Sequence, residues 1–85
     1  MDNIIVSITD MDHSFVCDVE LPTSVQITKL KSSILELMNS YGNQVNIDAD
    51  SMILLCNRTG KQIAEDATLY SAGVWNGDYI TLVEV

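Results

Sequence analysis

Leu69-Tyr-Ser-Ala-Gly73-Val-Trp75-Asn76-Gly77-Asp78-Tyr79-Ile80-Thr81-Leu82-Val83-Glu84-Val85 is the stretch around which the rest of the chain is organised. It reads as a short helical turn, a tight glycine turn and a strand. In Asn76-Gly77-Asp78 the glycine takes positive φ freely, and the flanking Asn and Asp side chains can bond their own backbone. Ile80 and Leu82 then alternate with Thr81 and Val83, the two-residue period of a strand with two distinct faces. A strand this apolar is an aggregation hazard on an open edge, so it belongs inside a sheet with earlier strands on either side.

The earlier strands can be found by the same alternation. Ile4, Val6 and Ile8 form one apolar row, and Phe15, Cys17, Val19 and Leu21 form a second after the polar turn Asp10-Met11-Asp12-His13. So short a turn joins them as an antiparallel hairpin with its core on one face. After Pro22, Thr23 and Ser24 offer hydroxyls ahead of the next element. The period then lengthens: Ile27, Leu30, Ile34, Leu37/Met38 and Tyr41 mark the buried stripe of one amphipathic helix. Lys29, Ser33 and Glu36 turn outward, Leu35 lies beside the stripe, and Gly42 is the stop. Residues 42–51 are polar and acidic, with Val45 or Ile47 tucked inward. Met52 to Cys56 is a third strand, Gln62-Ile63 at most a short fourth, and the stretch quoted first closes the sheet. The expected fold is a single α+β domain spanning residues 1–85. Its mixed sheet of four to five strands packs on one α-helix, with the last strand parallel to the first and between the first and third.

Composition narrows the function. With 85 residues, 47% of them hydrophobic, the chain can bury one small core. Its net charge of −8 rests on twelve acidic residues against Lys29, Lys31, Arg58 and Lys61. Four cations cannot neutralise a phosphate backbone, so nucleic acid is a poor partner, as is an anionic membrane surface. No basic leader or long apolar run marks a signal peptide or a membrane span, and a cytoplasmic protein without direct membrane insertion is expected. Cys17 and Cys56 lack metal-type or redox-type spacing and read as reduced thiols.

No chemistry-bearing pattern emerges. The one histidine, His13, sits in a hairpin turn as an exposed ring. Cys17 is expected on the inward face and Cys56 on the outward one, neither with a base nearby in sequence. Asn46-x-Asp48-x-Asp50 is followed by Ser51 where a calcium loop needs glycine, and no closing Glu follows, so it reads as an acidic surface loop. No catalytic residue, metal site or cofactor is expected, and the chain is not expected to be an enzyme.

The order of elements resembles the β-grasp or ubiquitin-like fold over essentially the whole chain, with local likenesses at Gly60-Lys61-Gln62-Ile63 and Thr68-Leu69-Tyr70-Ser71. A narrower resemblance is to the YukD/EsaB family, the small ubiquitin-like proteins associated with bacterial type VII secretion. It rests on Leu21-Pro22-Thr-Ser-Val25-Gln-Ile27-Thr-Lys-Leu30, on Ile53-Leu-Leu55-Cys-Asn-Arg-Thr-Gly60, and on Leu69 through Leu82. The resemblance implies a non-catalytic accessory or regulatory protein of that secretion system. Its partner would be a protein, such as a membrane component of the machine. The sequence finishes Leu82-Val83-Glu84-Val85 without the diglycine tail of conjugated modifiers, so a non-conjugating role is expected. A general ubiquitin-like interaction module unrelated to secretion is the alternative.

A domain without chemistry acts through a surface. If Ile53 and Leu55 face the helix, then Met52, Leu54 and Cys56 face outward. Thr81 and Val83 face outward on the last strand, with Met11 nearby. These positions resemble ubiquitin's apolar recognition patch, and Ile5 and Val16 could extend it. Either the patch is a partner site or these are the scattered exposed apolar residues of any surface. Trp75 is expected to pack over the Leu69 turn, the other reading being an exposed aromatic anchor.

Overall fold

The computed structural model describes residues 2–42 and 47–85. Val45 and Asn46, and with Asn46 the acidic loop pattern as a whole, lie outside the described residues. Strand β1 (Asn3–Asp10) and β2 (Val16–Pro22) form the antiparallel hairpin. Helix α1 (Ile27–Ser40) follows. After a 3-10 turn at Ala49–Ser51 come β3 (Met52–Cys56), the two-residue β4 (Lys61–Gln62) and β5 (Tyr79–Glu84). The sheet order is β2-β1-β5-β3-β4. β5 runs parallel to β1, with Ile8 opposite Ile80, and antiparallel to β3, with Leu54 opposite Leu82. This is the mixed sheet on one helix that the element order predicts, with β5 in its interior.

α1 covers one face of the sheet. Ile27, Leu30, Ile34 and Met38 are fully buried against Val6, Ile8, Val19 and Leu21 of the hairpin and Ile80 and Leu82 of β5. Leu37 and Leu35 are half-buried, whereas Tyr41, expected on the stripe, is 55% exposed because the helix has ended at Ser40. Gly42 supplies the positive φ of 86° just beyond the end, the left-handed conformation that stops a helix.

The helix start is not capped by the hydroxyls of Thr23 and Ser24. The Thr23 hydroxyl and amide both donate to the Asp2 carbonyl instead, at 2.9 and 3.0 Å. The free amides of the first turn find carbonyls from a distant segment: Ile27 donates to Ala67 at 2.9 Å and Thr28 to Glu65 at 3.2 Å. The Thr28 hydroxyl also donates to the Glu65 carbonyl, and Lys31, 4% exposed, forms an ion pair with the Glu65 carboxylate. The turn before β5 is closed locally, with Thr68 and Ser71 exchanging hydroxyl–amide bonds at 2.9 and 3.0 Å and Leu69 fully buried beneath.

Candidate functional site

The helix covers one face of the sheet, so the other is open, and its composition follows from register. β3 is five apolar residues in a row, and alternation alone cannot say which of them turn inward. Pairing with β5 settles it. Leu54 lies opposite Leu82, Cys56 opposite Ile80 and Met52 opposite Glu84, and residues directly opposite share a face. Ile80 and Leu82 face α1, so Met52, Leu54 and Cys56 do too, exposed by 0%, 0% and 3%. This corrects the outward placement of Met52, Leu54 and Cys56 by one residue, which inverts the face of the whole strand.

Ile53 and Leu55 therefore stand on the open face, half-buried. Ile53 is opposite Val83, which faces outward as expected, and Leu55 is opposite Thr81. Thr81 has the outward register but only 7% exposure, with its hydroxyl donating to Asn57 Oδ1 at 2.7 Å, so it offers little surface. Its neighbour Thr9 is covered as well, donating to the Phe15 carbonyl at 2.7 Å where the hairpin tip curls back. Around these two threonines the face carries Tyr79 and Ile5, each 50% exposed, and Val16, 58% exposed. Met11, at the hairpin tip, is 60% exposed. The acidic members of the face, Asp18 and Glu20 on β2, accept from Ser7 Oγ at 2.6 Å and Asn3 Nδ2 at 3.0 Å.

The opposite end of β5 holds a polar clamp that the sequence did not disclose. Asp78, nearly buried, accepts from Arg58 through both oxygens, with Nε at 3.0 and 3.1 Å and Nη2 at 3.0 Å, and from the Trp75 amide at 2.8 Å. Arg58 Nη2 also donates to the Gly73 carbonyl, and its guanidinium stacks 3.9 Å from the centre of the Trp75 ring. The expectation that Trp75 packs over the Leu69 turn is corrected by its exposure and by this contact. The indole is 63% exposed, its ring met by Arg58 rather than buried among apolar side chains. Asn76 Oδ1 accepts from the Ile5 amide at 2.8 Å and the Gly77 amide donates to the Ile5 carbonyl at 2.7 Å, which ties the turn to β1. The Arg58 guanidinium, followed by the Trp75 amide, holds the Asp78 carboxyl below the usual carboxylate range despite burial. The sequence carries this signal only in part: Asp78 has the character of a turn former, and nothing local pairs it with Arg58 twenty residues earlier.

The remaining titratable groups are dispersed. Cys17 is half-buried on the inward face and burial pushes its thiol up. Cys56 Sγ lies 3.9 Å from Asp78 Oδ2, and both cysteines are free. His13 is exposed with φ of 54°, its Nδ1 3.4 Å from the Thr9 hydroxyl. Asp10 is held below the usual carboxylate range chiefly by the Ser14 hydroxyl, with the Ser14 amide adding to it.

An open five-strand sheet around one helix, with a central parallel β1–β5 pair, defines a ubiquitin-like protein of the β-grasp class. Ubiquitin of Caldiarchaeum subterraneum superposes with a TM-score of 0.74 at 15% identity, covering 99% of this chain and 95% of that one. The ubiquitin-like domain of Plasmodium falciparum Dsk2 gives 0.76 at 20%, covering 99% and 100%. That of an Arabidopsis thaliana protein gives 0.75 at 20%, covering 99% and 79%. At these identities the likeness concerns the fold alone. The chain belongs to the family described as WXG100 protein secretion system (Wss), protein YukD, which matches residues 4–82. No curated relative matches it. Among the described residues no helix is long and apolar enough to cross a membrane.

Proposed function

We propose that this protein is a non-catalytic accessory or regulatory component of a WXG100, or type VII, secretion system and acts by noncovalent protein–protein binding through the open face of its sheet. The family match over residues 4–82 carries the secretion context. The placement of the binding surface is supported by the apolar group Ile53, Leu55, Tyr79 and Val83 on a face that no element among the described residues covers. Thr81 supports it from beneath, whereas Met11, at the hairpin tip, lines a hollow with Leu82 and Glu84, which have the inward register. Leu54 and Met52 belong to the core, so a test of the face must use Ile53 and Val83. In an affinity capture from a type VII-secreting host, native chain retains a secretion component and a folded Ile53→Asp, Val83→Asp double variant loses it. Equal retention by both would move the site elsewhere, with the exposed Trp75 next. Absence of any secretion component from both captures would leave a general ubiquitin-like interaction module.

A further inference from the structure

We infer that the hollow between Tyr70 and Trp75 is a second docking site, one that receives an arginine side chain from a protein partner. It lies where β1 begins, whereas Ile53 and Val83 pair beyond the end of β1, so it does not rest on the open-face reading. The hollow has a volume of about 370 Å³. Half-buried Ile4 and buried Val74 form its floor, and two aromatic rings wall it, Tyr70 81% and Trp75 63% exposed. Exposed Asp2 stands at its mouth. Hydrogen bonds between distant segments hold these walls in place. The Tyr70 amide donates to the Thr23 carbonyl at 3.2 Å, and Thr23 in turn donates to the Asp2 carbonyl. Asn76, on the same rim, accepts from the Ile5 amide. The hollow is therefore built before any partner arrives, which lowers the cost of binding.

The chemistry of the lining selects the occupant. Two π faces beside one carboxylate attract a cation, and a flat guanidinium both stacks on rings and forks onto a carboxylate. The indole already takes such a group, since Arg58 stacks 3.9 Å from its centre. Arg58 is not part of the hollow's lining and its charge is met by Asp78, so it neither fills nor neutralises the site. No lysine lines the hollow either, and among the described residues no cation pairs with the Asp2 carboxylate. The side chains of Thr23 and Asn76 are engaged by the chain's own backbone, which leaves Asp2 as the one charged group of the lining. An acidic segment would set its charge against Asp2 and is disfavoured.

The test titrates the full chain with the peptide acetyl-Gly-Arg-Gly-amide and with the same peptide carrying citrulline, a neutral isostere of arginine. Binding is followed through the fluorescence of Trp75, the one tryptophan of the chain, and through the amide shifts of Gly73 and Val74. The arginine peptide is expected to saturate with a Kd on the order of 1–10 mM, as suits a single side chain. The citrulline peptide is expected to bind at least about threefold more weakly. Asp2→Asn should narrow that difference and Tyr70→Ala should weaken the arginine peptide, with both variants melting as the native chain does. The Ile53→Asp, Val83→Asp variant should bind both peptides as the native chain does. If it loses the arginine peptide, the peptide sits on the open face, which overturns this site and leaves the open-face reading standing. Equal binding of the two peptides by the native chain makes the hollow an apolar pocket and overturns the inference. So does a response that survives both Asp2→Asn and Tyr70→Ala, or no saturation up to about 0.1 M. Free L-arginine binding more tightly than the capped peptide would assign the hollow to a small molecule and overturn it as well.

Discussion

Leu54 and Ile53 are adjacent apolar residues with opposite surroundings, and a pair of truncations separates them. Leu54→Ala removes a fully buried side chain from the interface of α1 and the sheet and is expected to cost about 2–5 kcal/mol in urea unfolding. Ile53→Ala removes half-exposed surface and is expected to cost about 1 kcal/mol or less. Comparable losses at the two positions would refute the register described here. Gly77 poses a backbone question instead. Its φ is 90° and its amide donates to Ile5, so Gly77→Ala is expected to destabilise by roughly 1–2 kcal/mol through conformation alone. The Asp78 carboxyl, with its folded pKa below the unfolded value, contributes stability above the unfolded value of about 3.9. That contribution is lost as pH falls through the lower folded value. Thermal melts of Asp78→Asn should be below native near neutral pH, with the gap closing under acid. A constant gap down to low pH would count against the Arg58 contact as its source.

At the scale of elements, α1 begins where a remote segment supplies its caps. Residues 65–67 give carbonyls to Ile27 and Thr28, and Glu65 pairs with Lys31. The start of the helix should therefore exchange its amide hydrogens together with the segment before β5 rather than fray independently. Faster exchange at Ile27 and Thr28 than at Ala67, whose amide donates to the Ala64 carbonyl, would argue otherwise. The two thiols report on the sheet in the same way. Cys17, half-buried on β2, is expected to react with a thiol reagent in the folded state. Cys56, 3% exposed on β3, should react only on unfolding, and equal rates would mean that β3 is open. The 3-10 turn at Ala49–Ser51 has no signature in the sequence, because Ala49, Asp50 and Ser51 are too few to show a period.

For the whole molecule, one sheet face packs on α1 and holds the core, and the other carries the proposed docking surface. The Ile53→Asp, Val83→Asp variant is expected to keep native circular dichroism and lose partner capture, whereas Leu54→Asp should lose both, because it puts a charge into the core. The amino-acid sequence by itself determined the order of elements, the parallel placement of β5 beside β1, the stripe of α1 and the likeness to ubiquitin-like proteins. The elements and the stripe follow from periodicity and turn chemistry within a few residues, the interior place of β5 from its apolar character, and the likeness from the resemblance of its motifs. The inward set of β3, the exposure of Trp75 and the Arg58–Asp78 clamp were decided only by the tertiary structure. Five apolar residues in a row present two equivalent faces until Leu82 and Ile80 lie opposite and α1 covers one of them. Trp75 and Asp78 meet Arg58 only because β3 and β5 are neighbours in the sheet. The open face could be expected from the sequence, but its members could not be chosen without the pairing that places Ile53 beside Val83.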